Sequence, residues 1–371
     1  MELINSTRMV AGYTMGLEPS GRELLVVVVK GTFQIPTNGE PVLLADEQLP
    51  LVMADTFTGE PGLSAPVHEV DFAPRKHRCD VLLNGSAYAP DGRPTTRVEV
   101  GLRVNGMAKS FSVVGNRHWQ SGLRGVAASS PERFSVMPIS YDRAFGGVDN
   151  RHEDPSKHGA FMRNPVGTGF HKDLRHEWVD GALMPNTEEP GRPVNSPTSD
   201  RYLPMSFGPI GRSWDPRYKY AGTYDDKWLK EHFPFLPPDF KQEYYQAAPL
   251  DQQVPHPQGG EEIRLVNLSP DGDVGFTLPV FDAPVHFFPR KGERENGTLV
   301  LDTIVLEPDR RRFMLTWRAT RPLKKSMFEV AQVLVGRKPG AWWVARERIE
   351  FPIRLIAVPP KAADPPEADA E

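Results

Sequence analysis

Three histidine–glutamate pairs, His68-Glu69, His152-Glu153 and His176-Glu177, are the first places where this chain could do chemistry. Each opens like the zincin motif, in which a second histidine one helical turn later turns two imidazoles onto one ion. The residues at that place are Phe72, Ser156 and Asp180, so none completes the motif. His152, Glu153, Asp154 and His158 form a looser set of ligand types, but among loop-forming residues that suit a solvated turn better than a metal cage. Nucleophiles fare similarly. Gly62-Leu63-Ser64-Ala65-Pro66 carries proline where a serine-hydrolase elbow needs glycine. Cys79, the sole cysteine, follows the basic run Arg75-Lys76-His77-Arg78, and nearby positive charge can activate a thiol. No motif supplies it with a base, so a structural thiol is expected. Gly167-Thr168-Gly169 lacks the third glycine and the lysine of a phosphate-binding loop. The adjacent acids Asp225-Asp226 and Glu261-Glu262 leave a glycosidase open, because such enzymes recruit carboxylates from distant parts of the chain. Helix capping accounts for the first pair. The expectation is a protein that is not an enzyme and uses neither metal nor cofactor.

Two segments retain the residue types of a recognition surface. Trp214, Tyr218, Tyr220, Tyr224 and Trp228 lie within one stretch that also holds Arg212, Asp215 and Arg217. Aromatic residues with arginine are enriched at interface hot spots. The same residues could build a proline-aromatic minicore, or line a sugar groove. In Tyr141-Asp142-Arg143-Ala144-Phe145-Gly146-Gly147, Asp142 and Arg143 suit either a polar network above a glycine turn or a partner-facing loop. Tyr141, Asp142, Arg143, Phe145, Trp214, Arg217, Tyr224 and Trp228 are therefore the candidate partner-binding residues.

The elements that would position these segments read as β. Leu24 to Val29 suits a strand buried on both faces. Val98, Val100, Leu102 and Val104 alternate with polar or small residues, Asn105-Gly106 follows, and Lys109 to Val114 resumes the strand, which is a hairpin pattern. Further turn pairs are Asn38-Gly39, Asn84-Gly85, Asp91-Gly92, Asp271-Gly272 and Asn296-Gly297. After residue 260 strands are expected at Leu299 to Leu306, Phe313 to Trp317 and Phe328 to Val335. Of 38 prolines, about twice the usual share, thirteen lie between Pro185 and Pro257. Proline breaks helices and central strands, so the middle should be packed loop with two short helices. One is capped by Asp225 or Asp226 and runs through His232; the other spans Asp239 to Gln246.

The fold expected is mainly β: an antiparallel sandwich or barrel-like sheets, a long proline-rich irregular middle and a few short helices. Residues 1–358 read as one β-rich domain, divisible into strand-rich parts 1–130 and 260–358 around an irregular excursion, 131–259. Residues 359–371 read as a disordered acidic tail. The net charge of −4 across 371 residues gives no basis for nucleic-acid binding. The N-terminus lacks the basic-then-apolar pattern of a signal peptide, and the longest apolar run, Leu24 to Val29, is too short to span a bilayer. A cytoplasmic protein without membrane contact is expected.

Several phrases also resemble one bacterial family. They are Glu60-Pro61-Gly62, Glu69-Val70-Asp71-Phe72-Ala73-Pro74, and Asp80 to Pro90. Val113 to Trp119, Pro138 to Gly147, Asn164-Pro165-Val166-Gly167, Phe207 to Trp228 and Ala248-Pro249-Leu250-Asp251-Gln252 follow in order. That family carries a domain-of-unknown-function label, and its members act as adaptors or chaperones of type VI secretion effectors. The resemblance implies a cytoplasmic adaptor that stabilises an effector and aids its loading onto a PAAR- or VgrG-type spike protein. The alternative is a β-sandwich carbohydrate-active hydrolase or a carbohydrate-binding module. A cleft lined by Trp214 and Trp228 with two acids about 5–10 Å apart would favour the hydrolase.

Overall fold

The computed structural model describes residues 1–350, except 38 and 124, and for residues 347–350 the backbone alone. The turn expected at Asn38-Gly39 and the acidic tail at 359–371 therefore fall wholly or partly outside the described residues. The chain is mainly β, in several largely antiparallel sheets, and among the described residues no sheet closes into a barrel.

The longest strand, Glu23–Gln34, owes its length to six consecutive branched or leucine side chains with no turn-former among them. Leu25, Val27 and Val29 point into the main core; Leu24, Val26 and Val28 point the other way, against Leu51 and Phe72. Both faces are thus buried, as the continuous apolar run required. This strand lies in a six-stranded sheet in the spatial order Gln253–Val254, Cys79–Leu83, Val300–Glu307, Arg312–Pro322, Glu23–Gln34, Val10–Leu17. A second sheet orders Thr187–Glu188, Met107–Val114, Arg97–Val104, Glu262–Val266, Val274–Thr277. Its central hairpin turns at Asn105-Gly106, with Val104 opposite Met107 and Asn105 at φ 50°. A third sheet joins the N-terminal Glu2–Asn5 to Val330–Val335, which pairs with Val285–Pro289. Val100, Leu102, Phe111 and Ile263 from the second sheet meet Val27, Ile304, Phe313 and Leu315 from the first in one core, with Phe287 and Val333 from the third.

The opposite face of the six-stranded sheet is buried too, and beside its apolar side chains it carries a polar row. Lys30, Thr316, Thr303 and Asp80 lie in one row across four strands. A bulge between Leu301 and Thr303 interrupts the register beside Asp302; bulges re-aim side chains in this way. The covering segment supplies partners. Asp71 pairs with Lys30 at 3.0 Å and accepts from the Val52 amide, while Lys76 bonds Asp80 at 2.7 Å and Thr303 at 2.9 Å. Arg318 binds Asp302 and the Asp71 carbonyl. Lys76 has its pKa raised: burial alone would lower it, but Asp80 and Asp302 outweigh that. The phrase Glu69 to Pro74 is thus a staple that holds a loop layer on a charged sheet face.

Some expected elements differ. Asn84-Gly85 does not form a turn; it passes the chain from Cys79–Leu83 in one sheet to Gly85–Tyr88 in another. Asn296-Gly297 lies within the strand Glu295–Gly297. The second helix, expected from Asp239 to Gln246, is only a 3-10 turn at Gln242–Tyr245, because Asp239 instead accepts two bonds from Thr223 and Phe240 packs on Tyr244 and Tyr245. A C-terminal helix, Gly340–Glu350, was not expected. Its Trp342 and Trp343 pack near Phe288.

Candidate partner-binding surface

The loop from Tyr141 to Gly147 is built inward. Asp142 accepts from the Ala65 amide at 2.9 Å and the Thr58 hydroxyl at 2.7 Å, which ties it to the segment around Gly59 to Pro66. Arg143 donates to Asn186 at 3.1 Å. The wholly buried Asn164 amide donates to the carbonyls of Tyr141, Phe145 and Ala144. Gly146 sits at φ 156°, and a Cβ there would lie 2.1 Å from the Asn164 carbonyl oxygen. Phe145 is buried among Phe161, Phe170 and Tyr202.

Trp214 and Arg217 are also interior. Trp214 meets Tyr141 edge to face at 5.3 Å. Arg217, 1% exposed, donates to the carbonyls of Ile210 and Tyr244, each at 2.8 Å, and forms a two-pronged pair with Glu69. Tyr141, Phe145, Trp214 and Arg217 thus build minicores that pin the irregular middle to the sheets. Neither Trp214 nor Trp228 lines the large cleft described below, so the arrangement that would favour a hydrolase is not formed there.

Tyr224 and Trp228 sit elsewhere. Asp225 caps the short helix Asp226–Glu231 by accepting from the Trp228 amide at 2.8 Å. The Trp228 indole donates to the Phe235 carbonyl at 2.9 Å, which folds the following segment back against the helix. Tyr224 and Phe233 each set an edge against the Trp228 ring. The base is fixed by the Thr223–Asp239 bonds, and Phe235 rests on the Gly21 turn, where a Cβ would come within 2.7 Å of its ring. This scaffold leaves Tyr224 54%, Leu229 57% and Phe233 62% exposed. Large apolar side chains grouped on a surface mark interaction sites. Leu229, Phe233 and Phe235 were not among the sequence candidates, although they follow the helix cap directly.

Beside this excursion, the Arg217–Tyr220 turn forms a wall of a cleft of about 660 Å³. Its other walls include Leu203, Met205, Ile210, Pro249 and Leu250, and its floor includes Tyr141 and Lys109. Lys109 is buried and bonds Gln252 at 2.7 Å and the half-exposed Asp251 at 3.2 Å. Burial holds its pKa below the usual lysine range despite Asp251. The phrase Ala248 to Gln252 thus supplies one wall and the counter-ion.

Several of the other chemical candidates have structural partners. His68 pairs with Glu307 at 3.1 Å while its neighbour Glu69 turns to Arg217. His158 bonds the His152 carbonyl at 2.7 Å. Cys79 is fully buried, and burial pushes its thiol well above the ordinary value.

No curated protein and no solved structure matches the chain. A family model described as an uncharacterized protein conserved in bacteria matches residues 20–318. That span takes in the staple, the Tyr141 loop, the capped excursion and the cleft, and the chain belongs to this family, DUF2169.

Proposed function

We propose that the protein is a cytoplasmic adaptor-chaperone that binds a type VI secretion effector, stabilises it and aids its loading onto a PAAR- or VgrG-type spike protein. The observation that carries the protein-binding part is the exposed group Tyr224, Leu229 and Phe233, held on a capped helix whose base is fixed by hydrogen bonds. A rigid apolar patch loses little entropy on docking, so more of the buried area appears as affinity. The resemblance of the ordered phrases from Glu60 to Gln252 supports the effector as client. Binding the folded client stabilises it by mass action, and no chemistry is required.

The test is co-expression with the effector encoded beside this gene. Soluble client should rise with the wild-type protein and co-elute with it on gel filtration. Phe233→Glu should abolish the complex while leaving the thermal midpoint of the free protein unchanged. Equal client yield with and without the protein, and no complex, would overturn the reading.

A further inference from the structure

We infer that the cleft between the Arg217–Tyr220 turn and the Ala248–Gln252 segment receives the apolar C-terminal end of a partner polypeptide, with the terminal carboxylate facing Lys109 and Tyr141. Three observations carry this. First, the walls are mainly apolar and reach the surface, ending in Leu203 and the 80% exposed Leu250, with Arg163, Asp215 and Glu243 as the further charged groups of the lining. Second, the floor has donors in excess. The Tyr141 side chain lines the cleft and its hydroxyl makes no hydrogen bond to another described residue. Lys109 divides three N–H donors between two partner groups, Gln252 and Asp251. Third, the anion that faces these donors is itself partly solvated. Asp251 is the anion acting on both Tyr141 and Lys109, yet its side chain is 55% exposed and half screened by water. A carboxylate inside the cleft would supply acceptors to both donors on the side away from solvent.

An apolar body with a carboxylate could also be a free aliphatic acid. The nearness of the cleft to the exposed patch along the chain favours a polypeptide. Tyr220 lines the cleft and Tyr224, four residues on, opens the exposed patch, so a chain held on the patch can place its end in the cleft. The identity of that partner as the client rests on the adaptor reading; the chemistry of the cleft does not.

The probe is a pooled library of hexapeptides ending in two aliphatic or aromatic residues, prepared as free acids and as C-terminal amides, with decanoate as a separate ligand. The free-acid pool should be retained on immobilised protein, and individual hits should bind about tenfold more tightly than their amides. Tyr141→Phe and Lys109→Met should each reduce that preference, and Leu250→Glu, at an exposed position, should weaken both forms. Thermal midpoints of all three variants separate misfolding from lost recognition. Retention of neither pool, equal binding of acids and amides, or binding of decanoate alone would overturn the inference. Failure of the wild-type protein to retain either peptide pool, with client co-elution intact, would sink it and spare the adaptor reading. Peptide binding without client co-elution would do the reverse.

Discussion

At the scale of the residue, burial decides which arginines and aromatics are free to recognise anything. Arg217 has the composition of a hot spot, but its guanidinium is spent on Glu69 and two carbonyls. Arg217→Ala would leave the Glu69 carboxylate without its closest partner, and breaking a buried pair costs about 3–5 kcal/mol. Urea unfolding should show that loss in the free protein; an unchanged midpoint would mean that Glu69 is rescued by Arg212, 3.5 Å away. Glu307 makes a pH prediction. Burial alone would raise its pKa, but hydrogen bonds from His68 and Arg312 hold it down at about 2, against an ordinary 4.5. A carboxylate with a depressed folded pKa contributes stability that is present above its unfolded pKa. That stability is lost as pH falls from about 4.5 towards 2. With screening on the solvent side allowed for, the contribution is roughly 2 kcal/mol. Glu307→Gln should therefore flatten the stability profile between those pH values, which thermal melts across the acid range would measure.

Elements explain which parts of this structure were legible in sequence. The Val98–Val114 hairpin and the doubly buried Leu24–Val29 run were readable because alternation, a continuous apolar stretch and an Asn-Gly turn are local signals. The Asp225 cap was readable for the same reason. The polar row Lys30, Thr316, Thr303 and Asp80 was not, because its members come from four strands and only the register aligns them. The cleft was hidden likewise: Lys109 and Tyr141 are brought to Leu250 by tertiary packing. The Tyr141 loop shows how an irregular element can be rigid. Asn164 supplements the two-residue ladder between Phe145–Gly146 and Thr168–Gly169 by donating to carbonyls of the loop. Asn164→Ala would leave the Phe145 carbonyl without that donor and the Tyr141 carbonyl with the Ala144 amide alone, at about 1–3 kcal/mol for a group left unsatisfied. Gly146→Ala would drive a methyl group into the Asn164 carbonyl. Both variants should lower the thermal midpoint by several degrees, whereas Tyr224→Ala, on the exposed excursion, should leave it within about one degree.

The whole molecule is tied together by where its ends go. In the six-stranded sheet the two central strands, Val300–Glu307 and Arg312–Pro322, come from the C-terminal part. They stand between Cys79–Leu83 and Glu23–Gln34 from the N-terminal part. Glu2–Asn5 is likewise paired with Val330–Val335. The irregular middle leaves one sheet system and returns to it. A fragment of residues 1–258 would lack those two central strands, exposing two interior edges and half of the shared core, and open apolar edges aggregate. We expect it to be insoluble alone, and to be recovered in soluble form only when residues 259–371 are co-expressed. The intact chain should unfold with coincident tryptophan-fluorescence and far-ultraviolet circular-dichroism transitions. A soluble, cooperatively folding 1–258 fragment would show that the N-terminal strands can close a core without their C-terminal neighbours, and the shared sheet would then be an assembly of two separable parts.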